Sequence, residues 1–333
     1  EIETAWNLRN PGQYGKEFRV FKRNSLKGLW YVMRSQVAVF NQGYMDFSTV
    51  HVLGGVKTIQ LWHGVAWKKI GADARPEKVT RKEKLYYRAF DWISLYDKYI
   101  APSELYAKHV ISAFKTEENH ILKVGQPRNE ILFQEENCQE LRQRLLENLG
   151  ISTDTDQKLV VYMPTFRDTK ASSFSFFDKE IFEKINNLAK ELDFYILEKS
   201  HHAEKREKLS EKPGDRLVSC QKEHAEILLA SADVLITDYS SCFFDFLIRD
   251  KPIIHFAYDY EYYRDQDRGL YYGIDEISAG DVVYDFKSLL DCLRKNLQYP
   301  ETNARKREKI RKQFITYECV DNSRIIVEEI CNR

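Results

Sequence analysis

Short apolar runs alternate with longer stretches of helical period along the chain. In the first half, runs at 17–22, 36–40, 57–62, 98–101 and 121–124 have the length and composition of strands. Helical patterns lie between several of them, at 25–35, 80–90 and 103–113. The second half continues the alternation, with strands predicted at 158–164, 193–199, 216–220, 233–238 and 251–256. Helices are predicted there at 178–191, 223–231, 240–249 and 285–298. Strands joined through helices predict parallel sheets covered on both faces. The two sets imply an α/β chain of two doubly wound, Rossmann-like domains, 1–150 and 151–333, facing each other across a cleft. The join falls in "LRQRLLENLGISTDTDQK" (141–158), where a helix ends at Gly150 and a polar loop follows. Beyond residue 300 the chain reads as helices that follow the second sheet.

Open parallel sheets bind ligands at the carboxyl ends of their strands, so the residues just past each strand matter most. Four polar clusters stand there: His63-Gly64, "PTFRD" (164–168), "KSHH" (199–202) and "TDYSS" (237–241). In the last, a buried strand ends in Thr237-Asp238 and Ser240 and Ser241 open a helix. Hydroxyls and free N–H groups at a helix start suit an anion, although the same serines could serve only as caps. "YDYEYYRDQDRGLYY" (258–272) carries Arg264 and Arg268, whose guanidinium forks suit a diphosphate. Asp265-Gln266-Asp267 in the same stretch has the form of a metal-binding DxD, but arginines on both sides argue against a metal. His63 and His201 are the candidate acid–base groups. Gly64 would let a ligand approach the backbone beside His63, and Lys68 and Lys69 would hold a phosphate as point charges. His51, His109, His120, His224 and His255 lack such a context and are read as structural.

Composition narrows the classes. The chain of 333 residues is 43% hydrophobic and 31% charged, with 51 basic and 51 acidic residues, so nothing global points to nucleic acid. Basic segments at 16–34, laced with aromatics, and at 304–314 are read first as solvated helix faces. An anionic membrane surface or polymer is the alternative for each. The six cysteines are scattered, as in a reduced compartment, and form no zinc pattern. No apolar run reaches the ~18 residues of a membrane span, and no signal peptide is visible. These features predict a cytoplasmic or peripheral location. Walker, GxSxG and GxGxxG patterns are absent and no cofactor is expected; Mg²⁺ is kept as the alternative, although no dedicated ligand set for it is seen.

Taken together, "LWHGVAWKKIG" (61–71), "VGQPRNEIL" (124–132), "VVYMPTFRD" (160–168), "KSHH", "LITDYSSCFFDF" (235–246) and "YDYEYYRDQDRGLYY" resemble, in order, the CDP-glycerol glycerophosphotransferases. These are the TagF-like and TagB-like enzymes of wall teichoic acid and related capsule polymerases, and the likeness runs over about residues 20–290. The resemblance implies a GT-B architecture and transfer of a polyol phosphate from a CDP-activated donor to a hydroxyl of a lipid-linked or polymer acceptor. Glycerol is the expected polyol and ribitol the second; CMP leaves and a phosphodiester forms. It implies that His63 is the base for the acceptor hydroxyl and that His201 touches the donor phosphate or is a second catalytic histidine. Thr165, Arg167, Lys199, Thr237, Asp238, Ser240, Ser241, Arg264 and Arg268 would form the donor pyrophosphate site. Gly64, Lys68, Lys69, Arg128 and Asn129 would lie on the acceptor or interdomain side. Two departures stand out. Val65-Ala66-Trp67 replaces a frequent Thr-Pro-Leu, which predicts a different acceptor side. The chain also starts at Glu1 on a strand-like segment, without the strand and helix usual before residue 5, so an upstream segment is expected. The rival readings are a nucleotide-sugar GT-B glycosyltransferase or epimerase, and a non-catalytic polymer-binding scaffold.

Overall fold

The computed structural model describes residues 3–8, 18–43, 53–76, 79–90, 95–152, 157–165, 174–199, 214–266 and 269–331. Contacts divide the chain into two compact units. The first takes residues 1–63, 70–126 and 321–333, and the second takes 64–69 and 127–320. The division therefore falls at Gln126/Pro127, well before the expected join near Gly150, and two short segments belong to the opposite unit from their sequence neighbours.

The first unit holds a two-stranded parallel pair, β1 (Trp6–Leu8) and β2 (Val20–Lys22), followed by helix α1 (Leu26–Arg34). Its main sheet is four parallel strands in chain order: β3 (Val37–Phe40), β4 (Lys57–Gln60), β5 (Lys98–Ala101) and β6 (Ile121–Lys123). Helix α2 (Arg81–Phe90) precedes β5. Helix α3 (Glu104–Phe114) follows β5, started by Ser103, whose hydroxyl accepts the Tyr106 amide. Far along the sequence, α12 (Asn322–Cys331) completes this unit rather than closing the second. Two contacts account for that placement. Asn322 is fully buried, accepting from the Gly125 amide and donating to the Gln126 carbonyl. Ile326 meanwhile packs with Ile100 and Val124.

The second unit begins with α4 (Glu135–Leu149), which ends as predicted at Gly150, in the left-handed conformation (φ 67°) that glycine tolerates. Its sheet has six parallel strands: β7 (Lys158–Met163), β8 (Phe194–Glu198), β9 (Leu217–Ser219), β10 (Val234–Thr237), β11 (Ile253–Phe256) and β12 (Asp281–Val283). Across the sheet they run β12-β11-β10-β7-β8-β9. The order reverses between β7 and β10, which is the doubly wound arrangement with its switch point at their carboxyl ends. Helices α5 (Lys179–Glu191), α6 (Ala225–Ser231), α7 (Cys242–Phe246) and α10 (Phe286–Gln298) accompany these strands. The predicted helix 240–249 is thus only five α-helical residues followed by a 3₁₀ turn at Leu247–Arg249. Two short helices, α8 (Tyr260–Gln266) and α9 (Ile274–Ile277), lie where the sequence pattern predicted no helix. Basic helix α11 (Ala304–Phe314) is not simply a solvated face. Its Arg307 is buried, donating to Asp250 at 2.9 Å and to the carbonyls of Thr302 and Pro300.

Candidate active site

At the switch point of the second unit, the end of β10 is closed by a buried carboxylate. Asp238 Oδ1 accepts from the Thr165 amide (2.8 Å), the Thr165 hydroxyl (2.6 Å) and the Tyr239 amide (2.6 Å). Burying a carboxylate is costly unless donors replace its water, and here three do. Thr165 follows β7, so this group ties together the segments that leave two neighbouring strands at their carboxyl ends. Thr237, expected among the donor-binding residues, is instead fully buried and gives its hydroxyl to the Met163 carbonyl on β7 at 2.7 Å. It braces the sheet and does not face a ligand.

Ser240 and Ser241 are half-exposed at the start of α7, as a ligand site would require. The cap geometry differs from expectation. Ser241 makes no side-chain cap bond, and a five-residue helix offers little macrodipole. Charge comes from elsewhere: Arg128, in the 3₁₀ segment Pro127–Leu132, lies beside Gly64 and Ser241. A Cβ on Gly64 would meet Arg128 Nη2 at 3.0 Å and Ser241 Oγ at 3.6 Å, and Gly64 has φ 126°. Glycine is therefore needed here because the guanidinium and hydroxyl of this same unit approach it closely.

Arg128 is already engaged. Nη2 donates to Asp245 at 2.9 Å and Nε lies 3.5 Å from Glu226. Burial works to lower its pKa, but Asp245, Glu226 and Glu318 outweigh that and hold it above its ordinary value. Asn129, fully buried, donates to Asp245 and to Glu318. Arg128 and Asn129 thus form an internal ion-pair network of the second unit. Asp245 is the residue the sequence reading missed. An acid inside the apolar run Phe243-Phe244-Asp245-Phe246 has to find a buried partner, and that signal was available.

The segment Gly64–Lys69 is held in the second unit by Trp67. Its ring is 1% exposed, meets Tyr239, Phe243 and His255 edge-on, and its Nε1 donates to the Tyr272 carbonyl. Lys68 pairs with Leu270 in an antiparallel bridge, and the Lys69 amide donates to the Gly269 carbonyl. The Lys68 ammonium stands 4.7 Å over the Tyr263 ring, which stacks at 3.9 Å on Tyr239. Val65 and Trp67 are both core residues, so at two of its three positions the departure Val65-Ala66-Trp67 bears on the packing of this unit. Lys199, at the end of β8, is likewise committed: its ammonium donates to the carbonyls of Gln221 and Glu223, and burial lowers its pKa.

His63 sits in the first unit, exposed, just past β4. Its Nδ1 lies 3.2 Å from the Asn41 carbonyl and its ring stacks on Trp62 at 4.6 Å. A carbonyl can only accept, so in the neutral ring this contact assigns the proton to Nδ1 and the lone pair to Nε2. Arg167, His201 and Arg268 lie outside the described residues, as does the side chain of Arg264 in α8. So do Asp267 and the side chain of Asp265, the candidate metal pair. Among the described residues no three His, Cys, Asp or Glu side chains gather as a metal site.

His255 is structural, but its environment is informative. It is fully buried beneath Trp67 and Phe243; Nε2 accepts the Ala279 amide at 3.3 Å and Nδ1 faces the Asp238 carbonyl at 3.4 Å. Burial pushes its pKa from 6.5 down to about 4. Above the ordinary value both folded and unfolded chains leave it neutral. Below it the unfolded chain takes up a proton that the folded chain refuses until about pH 4. Its contribution to stability is therefore complete above pH 6.5 and is lost as pH falls toward 4, at up to ~1.4 kcal/mol per unit. In urea titrations between pH 7 and pH 5, His255→Gln should lower stability at pH 7 yet flatten the pH slope; a slope equal to that of the parent chain would contradict the buried neutral ring.

The profile of the CDP-glycerol:poly(glycerophosphate) glycerophosphotransferases matches residues 2–332. The chain is 28% identical over 341 residues to a teichoic acid poly(glycerol phosphate) polymerase of Bacillus spizizenii, covering 99% of this chain and 84% of that protein. To a polymerase of the same description from Staphylococcus epidermidis it is 30% identical over 340 residues, 96% of this chain but 44% of the relative. Among solved structures, a variant of the wall teichoic acid polymerase TagF soaked with CDPG superposes with a TM-score of 0.80 at 27% identity, covering 98% of this chain and 80% of that one. The likeness identifies the α/β fold as GT-B-like.

Proposed function

The chain belongs to the CDP-glycerol:poly(glycerophosphate) glycerophosphotransferase family, and from that premise we propose that it moves glycerol phosphate from CDP-glycerol onto a hydroxyl of a teichoic-acid-type or capsule polymer acceptor. CDP-ribitol is the second candidate donor. The observation that carries the reading is His63, presented at a strand end in the tautomer that leaves Nε2 basic. Nε2 takes the proton of the acceptor hydroxyl, the freed oxygen attacks the phosphorus that bears the glycerol, and the bond from that phosphorus to the CMP oxygen breaks. CMP departs and a phosphodiester remains. Positioning and charge stabilisation carry most of the rate in phosphoryl transfer. We assign that work to Thr165, Ser240 and Ser241 at the switch point, with Arg167, His201, Arg264 and Arg268 as the further donor contacts. Asp238 holds Thr165 in place, and Arg128, paired with Asp245 and Glu226, packs beside Gly64 and Ser241.

We further propose that the enzyme works at the cytoplasmic membrane face. No described helix is long and apolar enough to cross a membrane. The support for surface contact is α1, which exposes Leu26 (89%), Met33 (55%) and Trp30 (50%) and carries Lys27 and Arg34 without an acid. The Arg34 guanidinium lies 4.7 Å over Trp30. Such a face suits anionic headgroups.

His63→Ala should lower turnover by about 10²- to 10⁴-fold while CDP-glycerol binding stays close to that of the parent chain. Arg264→Ala and Arg268→Ala should instead weaken donor binding. Near-normal turnover in the histidine variant would remove the base assignment, and unchanged donor affinity in both arginine variants would remove the pyrophosphate role. Sedimentation with vesicles containing anionic lipid should capture the protein, and Trp30→Ala together with Leu26→Ala should reduce that capture. Equal capture of the double variant would rule out α1 as the contact.

A further inference from the structure

We propose that Gln60 is a positioning residue for His63, a role that rests on His63 being the catalytic base. Gln60 closes β4 and is 2% exposed, an unusual place for an amide unless both of its ends are bound. Nε2 donates to the Gln42 carbonyl at 3.2 Å, and Oε1 accepts the Trp62 amide at 2.8 Å. The second bond reaches two residues forward in the chain, where Trp62 has φ 56°. A bulky residue disfavours that left-handed conformation, so something has to hold it there. The Gln60 carboxamide is a bound acceptor in the right place to do so. The Trp62 ring, set edge-on to Phe114 at 5.5 Å, provides the other restraint.

The bend turns the chain out of the strand direction immediately before His63 and lays the imidazole along the Trp62 ring. The partners of both side chains are consecutive. Asn41 accepts from His63 Nδ1 and Gln42 accepts from Gln60 Nε2, just past the end of β3. One piece of backbone therefore fixes the amide that bends the chain and the ring that the bend delivers. Loss of the Gln60 acceptor relaxes Trp62, lengthens the contact from His63 to Asn41 and frees the ring to exchange tautomers. Only the population with the lone pair on Nε2 in place remains competent.

The test is turnover of Gln60→Leu together with ¹⁵N spectra of the His63 ring in the full chain. The expected result is a roughly 10- to 100-fold fall in kcat with the donor KM changed by less than about twofold. The ring signal should move from the Nδ1–H tautomer toward a mixture. Unchanged kcat with an unchanged tautomer overturns the inference. A second variant covers a leucine protein that does not fold. A protonated Gln60→Glu side chain keeps an acceptor for Trp62 and a donor for Gln42, whereas the ionised form loses the donor. Its activity relative to the parent should therefore fall as pH rises; a profile parallel to the parent's overturns the proposal. His63→Ala measured alongside separates the two ideas. If that variant stays active the base reading fails, while the tautomer shift in Gln60→Leu still reports on positioning.

Discussion

The buried Asp238 carboxylate is the interaction on which the second unit's arrangement depends. It stands where the strand order reverses, just past the last paired residues of β7 and β10, and joins the two segments that leave those strands. Its Oδ1 holds Thr165 on one side and the Tyr239 amide on the other. The backbone carbonyl of the same residue faces His255. Tyr239 in turn donates to Asp259 and stacks on Tyr263, the ring under Lys68. A single buried side chain that accepts from three donors thus stands at the centre of a threonine, a tyrosine stack and a buried histidine.

Trp67 adds the second constraint. Its burial against Tyr239, Phe243 and His255 keeps Gly64–Lys69 in a unit to which the flanking residues do not belong. The chain passes from one unit to the other between His63 and Gly64. The motif that looked in sequence like one catalytic loop is therefore two structures. Its histidine is shaped by Gln60, Trp62 and Asn41, and its glycine and lysines are shaped by Arg128, Ser241 and Tyr263. The Gly64 conformation serves the fit of Arg128 and Ser241, and the lysines are placed by pairing with Gly269 and Leu270.

The strands of the second sheet from β7 to β11 were legible because each is an apolar run bounded by polar residues, and that alone predicts a buried parallel strand. β12 was not, since Asp281–Val283 offers only two apolar residues and is recognised by its pairing with β11. α8 and α9 were hidden by aromatic and acidic residues with no helical period of their own. The transfer of α12 to the first unit rests on Asn322 meeting Gly125 and Gln126, a contact across nearly two hundred residues that no local pattern encodes. In the site, residue types at strand ends were readable, but their employment was not. Thr237, Lys199 and Asn129 carry the right chemistry for a ligand, yet spend it on carbonyls and carboxylates of their own unit. Asp245 and Gln60, polar residues within apolar surroundings, are the positions where the pattern broke and a partner was required.

The central claim is that this chain transfers phosphorus from a CDP-polyol and not a sugar from a sugar nucleotide. Calorimetric titration with CDP-glycerol, CDP-ribitol and UDP-N-acetylglucosamine, with CMP release followed in the presence of a glycerol-phosphate acceptor, tests it most directly. The account predicts selective binding of one CDP-polyol, CMP formation that depends on the acceptor, and a new phosphodiester in the ³¹P spectrum of the product. Binding of the UDP-sugar alone, or a product with no new phosphodiester, would contradict it.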